Sequence, residues 1–111
     1  MAFNCELKTI NAIATISVSG ELDRKAAPDF QAKVEEASKQ DITALVIDMN
    51  ELEYMASAGL RVLIFAKQHM PNVTVYVVGA QELVADTIEK TGFNESIVML
   101  SKYDAAIIEK N

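Results

Sequence analysis

Val46-Ile47-Asp48-Met49-Asn50-Glu51-Leu52-Glu53-Tyr54-Met55-Ala56-Ser57-Ala58-Gly59-Leu60-Arg61-Val62-Leu63 is the stretch that decides how this chain folds. It opens inside a short apolar run, Ala44 to Met49, whose β-branched residues fit a strand covered on both faces better than a short helix. It closes inside a helix. From Ser57 onward, Leu60, Leu63, Ile64 and Lys67 recur at helical spacing with a clear apolar side, and Pro71 stops the helix at or before Met70. Between strand and helix, a loop places one hydroxyl, Ser57, at the helix start, just ahead of Gly59. A serine there is by default a cap that accepts from the first free N–H groups. The same position puts its oxygen at the positive end of the helix dipole, where the N–H groups of Ala58, Gly59 and Leu60 can hold an added phosphate. Ser57 is therefore the candidate switch, and Gly59 reads either as a flexible first turn or as bare backbone that admits a partner.

Outward from this segment the pattern is regular. Asn4 to Thr9 and Ala12 to Ser19 read as two strands joined near Asn11, with Ala12, Ala14, Ile16 and Val18 on one face and Ile13, Thr15, Ser17 and Ser19 on a wetter one. Gly20 closes the second strand. A first helix follows from about Ala26 to Lys39, carried by Phe30, Val34 and Ala37, with Pro28 tolerated in its first turn. After the central strand and helix come a buried strand, Val73 to Val78, and a third helix, Gln81 to Lys90. That helix turns Leu83, Val84, Thr87 and Ile88 inward and is capped by Gly92. Ile97 to Leu100 is a last short strand, and a terminal helix runs from about Tyr103 to Lys110. Right-handed crossovers then predict one α/β domain over residues 1–111: a mixed, mostly parallel sheet of about five strands with four helices. No repeat or low-complexity tract divides it.

Composition narrows the function. The 111 residues are half hydrophobic and carry a net charge of −6, which disfavours binding to nucleic acid or an anionic membrane and favours a partner with a basic face. A single cysteine, Cys5, rules out an internal disulfide and fits a reducing cytoplasm. The first twenty residues lack the apolar core of a signal peptide, and no run approaches the about 18 apolar residues of a membrane span. One His and one Cys, with no HxxxH or CxxC spacing, disfavour a metal site. Ser57 lacks the Gly-x-Ser-x-Gly elbow, and His69 belongs to the far end of the same helix, where an imidazolium suits the dipole. Gly20, Gly59, Gly79 and Gly92 form neither a GxxxxGK nor a GxGxxG loop. The acid pairs Glu21/Asp23 and Glu51/Glu53 read as solvated carboxylates that could line a docking surface. An enzyme is not expected, nor a cofactor.

The segment Asp48 to Leu63, together with Gly20-Glu21-Leu22-Asp23 ahead of the first helix and the order of elements over nearly the whole chain, closely resembles the STAS domain of bacterial anti-sigma factor antagonists. The resemblance implies a cytoplasmic partner-switching regulator. Its unmodified form binds an anti-sigma factor that is also a serine kinase, and so releases the sigma factor. Phosphorylation of Ser57 abolishes that binding and a serine phosphatase restores it. The contact surface implied takes in Glu21, Asp23, Tyr54, Met55, Ala56, Ser57, Ala58, Gly59 and Arg61. Two positions depart from the common pattern: Ala56 stands where many members carry an acid, and Ala58 where a second serine is frequent. The alternative is a STAS scaffold or transport-complex subunit that is not phosphorylated and for which Ser57 is only a cap. A nucleotide sensor is a third.

Overall fold

The structure, a computed structural model, describes residues 2–110. Strands β1 (Asn4–Ile10) and β2 (Ile13–Leu22) form an antiparallel hairpin closed by Asn11 and Ala12. Asn11 sits at φ 56, a left-handed backbone that asparagine tolerates better than most residues. Then follow α1 (Ala27–Ser38), β3 (Ala44–Met55), α2 (Ser57–His69), β4 (Thr74–Val78), α3 (Glu82–Glu89), a 3-10 turn at Phe93–Glu95, β5 (Val98–Leu100) and α4 (Ala105–Ile108). The strands lie side by side in chain order, with β1–β2 antiparallel and every later pair parallel. This is the mixed α/β sheet that the sequence predicts.

Each crossover steps one strand in the same direction, so the three long helices share one face of the sheet. Ala14, Ile16 and Val18 of β2, Leu45 and Ile47 of β3, and Val75 and Val77 of β4 meet Phe30, Val34 and Ala37 of α1, Leu60, Leu63 and Ala66 of α2, and Val84 and Ile88 of α3. The opposite face holds a smaller cluster of Ala44, Val46, Tyr76 and Val78, which α4 covers through Ile108, 2% exposed. Toward β1 that face stays wetter, as the alternation of β2 predicts. Asp104 caps α4 by accepting from Ala106 and Ile107 N–H. Tyr103 O–H donates to Glu109, and this bond pushes its phenol up to about 12.

Four expectations shift. Strand β2 passes through Gly20, at φ 83, and continues to Leu22, because Gly20 lacks the Cβ that would collide with the backbone of Ala2. Strand β3 runs six residues past Met49, through two register slips at which it carries one more residue than β2. Such bulges break the period of two. Met49, Leu52 and Met55 are buried and the residues between them exposed, a spacing of three that does not read as a strand. Asp48 shapes the first slip by accepting from Asn50 N–H at 3.0 Å and from its side-chain amide at 2.7 Å. In α3 only Val84 and Ile88 are buried, while Leu83 is 71% exposed and Thr87 is half-buried with its hydroxyl on the Leu83 carbonyl. Finally, α4 is a single turn rather than the expected span of 103–110.

Candidate functional site

Strands β2 and β3 end at the same level. Leu22 pairs with Met55, Glu21 with Tyr54, and Ala56 N–H donates to the Leu22 carbonyl at 2.9 Å. From this rim α1 and α2 depart side by side. At the α1 side, Asp23 closes the turn: its carboxylate accepts from Ala26 N–H at 2.9 Å and its carbonyl from Ala26 and Ala27 N–H at 3.2 and 3.0 Å. Asp23, expected at the contact surface, thus has a structural task and is half-buried.

The α2 side differs from the sequence expectation by one residue. Ala56, at φ −81 and ψ 169, holds the cap position, and Ser57 is the first residue of the helix. A capping side chain must come from the residue whose backbone is still extended, and Ala56 has no polar atom to offer. The Ser57 hydroxyl therefore makes no cap bond; it is exposed and, among the described residues, has no hydrogen-bond partner. The free donors also differ. Gly59 and Leu60 N–H already donate to the Ala56 carbonyl at 2.9 and 3.3 Å, which leaves the N–H groups of Ser57 and Ala58 without an acceptor among the described residues. No acid stands in the first turn of α2.

The other named residues divide by burial. Tyr54 is 49% exposed, Glu21 and Arg61 are exposed, and Ala56 and Ala58 are half-buried. Met55 and Gly59 are buried. A Cβ on Gly59 would stand 2.7 Å from the Leu22 side chain and 2.8 Å from Met55, so this glycine seats α2 on the ends of β2 and β3. This packing role is one that neither sequence reading of Gly59, as flexible turn or as partner approach, names. Arg61 lies one turn beyond Ser57, at the i,i+4 spacing that brings side chains together on a helix face. With Arg24, Pro28, Gln31, Ala58 and Val62 it lines a shallow groove of about 370 Å³ between α1 and α2.

His69 takes no part. It occupies the last turn of α2, stacked on Phe65 at 5.0 Å, roughly 18 Å along the helix from Ser57 at 1.5 Å per residue. Leu83, which the sequence reading turns inward, is instead an exposed apolar side chain in the first turn of α3. The start of α3 is tied to β3 by a bond of 3.1 Å from the Gln81 side-chain amide to the Asn50 carbonyl. The signal for the exposure of Leu83 was available: the residue stands beside, not on, the stripe formed by Val84 and Ile88.

The family model for the STAS domain matches residues 4–106. The curated anti-sigma-F factor antagonist RsfB of Mycobacterium tuberculosis is 36% identical over 53 residues, which are 48% of this chain. The match spans 43% of that relative, less than half its length. Among solved structures, an anti-sigma factor antagonist from Mycobacterium paratuberculosis superposes with a TM-score of 0.87 at 23% identity, over 96% of this chain and 92% of that one. The Bacillus cell fate determinant SpoIIAA in its phosphorylated form superposes with a TM-score of 0.74 at 16% identity, over 96% and 98%. At these identities the solved structures speak for the fold.

Proposed function

Because the chain belongs to the STAS domain family, we propose that it is an anti-sigma factor antagonist worked by partner switching, with Ser57 as the switch. The unmodified form binds an anti-sigma factor with serine kinase activity and frees the sigma factor. Phosphorylation of Ser57 ends that contact and a serine phosphatase restores it. The observation that carries this reading is the exposed Ser57 hydroxyl at an uncapped helix start, with two unengaged N–H groups beside it and Tyr54 exposed on the same rim. Further support comes from a curated relative described as an anti-sigma-F factor antagonist and from a phosphorylated protein with this fold.

The physics is local. A phosphoryl group adds about −1.5 to −2 charges, and the positive end of α2 tolerates them without a change of fold. At a docked surface the same charge is costly. One like-charge pair about 6 Å apart at an effective dielectric near 20 repels by about 3 kcal/mol before salt screening. Since about 1.4 kcal/mol is tenfold in affinity, a micromolar contact would be lost. The contact surface we assign comprises Glu21, Tyr54, Ser57 and Arg61 at the front, Ala56 and Ala58 between them, and Met55, Gly59 and Asp23 holding them from beneath. The reading places the protein in the cytoplasm, and its action is binding rather than catalysis.

Incubation with the kinase of the same switch and ATP, followed by mass spectrometry, should find the phosphate on Ser57. Label on another residue with Ser57 unmodified would overturn the site. In a binding titration Ser57→Asp should lose at least about tenfold in affinity for that kinase, whereas Ser57→Ala should bind and resist modification. Equal binding by both variants would remove the electrostatic mechanism.

A further inference from the structure

Strand β1 is the long free edge of the sheet, and we propose that two copies of this chain pair there, antiparallel about a two-fold axis that passes between their two Leu7 residues. The opposite edge, β5, has three residues, whereas β1 has seven in unbroken register with β2 and contains neither proline nor a bulge. Natural edge strands are normally blocked by a proline, a bulge or a charged side chain, lysine above all. Of these β1 carries only the charges Glu6 and Lys8, so pairing depends on a register that matches them.

The backbone faces the right way. With a two-residue turn, Ile10 and Ile13 form a hydrogen-bonded pair, and so in alternation do Lys8/Thr15, Glu6/Ser17 and Asn4/Ser19. The Ala12 carbonyl, which accepts from Thr43 and Ala44 N–H on the β3 side, fits this alternation. The N–H and C=O groups of Cys5, Leu7 and Thr9 therefore point out of the sheet, and none of them has a backbone partner among the described residues.

The side chains then choose the register. A two-fold pair that matches outward groups with outward groups must be centred on a residue. Centred on Glu6, it sets two copies of Glu6 face to face; centred on Lys8, two copies of Lys8. Centred on Leu7, it sets Glu6 of each copy against Lys8 of the other, twice, in the non-hydrogen-bonded positions where side chains approach most closely. The same centre pairs all seven residues of β1 and supplies about six backbone hydrogen bonds, from Leu7 to its counterpart and from Cys5 to Thr9 in both directions. Glu6 and Lys8 are both exposed, and among the described residues neither has an ion-pair partner within its own chain. Ile10, 59% exposed, gains Asn4 of the second copy as its neighbour. The product is a continuous ten-stranded sheet in which the two Ser57 rims lie on opposite sides, free for other contacts.

The test is a charge swap read by light scattering after gel filtration over a range of concentrations. The wild-type protein should form a concentration-dependent dimer. Glu6→Lys and Lys8→Glu should each weaken it by about tenfold or more, because each makes both cross-strand pairs like-charged. An equimolar mixture of the E6K and K8E chains should restore a dimer, as should the double variant with itself. Glu6→Lys also reduces the net negative charge from −6 to −4, so general repulsion between acidic chains would make that variant dimerise better, not worse. A wild-type protein that stays monomeric at the highest concentration reached, a dimer indifferent to both single changes, or a mixture that does not recombine would each overturn the proposal.

Discussion

Helices α1 and α2 leave the same rim of the sheet from strand ends that pair Leu22 with Met55, yet their first turns are finished in opposite ways. At α1 the Asp23 carboxylate takes Ala26 N–H, Pro28 removes a donor that has no acceptor, and Asp29 places an acid in the first turn. The cap residue is alanine in both helices, Ala26 and Ala56, and neither has a side-chain cap bond. At α2, however, no carboxylate serves the turn ahead, the first turn has no acid, and Ser57 and Ala58 N–H are unengaged. Each of these provisions is worth a few tenths to about 1 kcal/mol, so the second start forgoes stability that the first collects. Local rules are broken most often where a site has other work to do. The difference teaches that α1 is finished as structure, whereas α2 keeps the open start that the proposed switch at Ser57 requires.

The firmest way to break that contrast is to remove the residue on which the start of α2 rests. Leu22 is fully buried, its carbonyl holds Ala56, and its side chain fills the space that Gly59 leaves. Leu22→Ala should cost about 2–5 kcal/mol in a denaturant titration. Gly59→Ala comes next. It gains helix propensity but drives a Cβ to 2.7 Å from Leu22, and overpacking of this kind costs about 1–3 kcal/mol. In the Leu22→Ala background the same change should cost less or nothing, since the obstructing atoms are gone. Additive losses in the double variant would show that the two residues do not share one space.

Most of the fold was legible because its signals are periodic and local. Phe30, Val34 and Ala37 mark the buried side of α1, Val84 and Ile88 that of α3, and Ala44 to Ile47 is an apolar run that ends as a fully covered strand. Three features were not legible, each for a physical reason. The bulges of β3 replace a period of two by a spacing of three, so Asn50 to Met55 reads as loop while pairing as strand. Whether Ala56 or Ser57 caps α2 depends on one backbone torsion that a carbonyl of the neighbouring strand, Leu22, helps to set. Gly59 owes its role to side chains from two strands, which no spacing within its own segment displays. The position of Ser57 at a helix start was visible; the empty cap beside it was not.

Smaller effects sharpen the contrast from each side. Asp23→Ala removes the bond to Ala26 N–H and should cost about 1 kcal/mol, the ordinary worth of a capping oxygen. A loss well below that would mean that the Asp23 carbonyl, which also accepts from Ala26 and Ala27, suffices to close the turn.

Ser57 should behave in the reverse sense. Its hydroxyl caps nothing, so Ser57→Ala should leave stability within about 0.5 kcal/mol of the wild type, as for a surface change with no named contact. Ser57→Asp should raise it by about 0.3–1 kcal/mol, because a carboxylate then stands at an uncompensated helix start with Arg61 one turn away. Thermal unfolding would register that gain as roughly 1–4 °C, and added salt should diminish it. The sign matters more than the size. A modification that strengthens the fold while it weakens a contact cannot act by unfolding the carrier, so its effect on binding must come from the charge at the surface. If Ser57→Asp instead lowered the melting temperature, α2 would not be an open anion site, and the contrast with α1 would be one of sequence only.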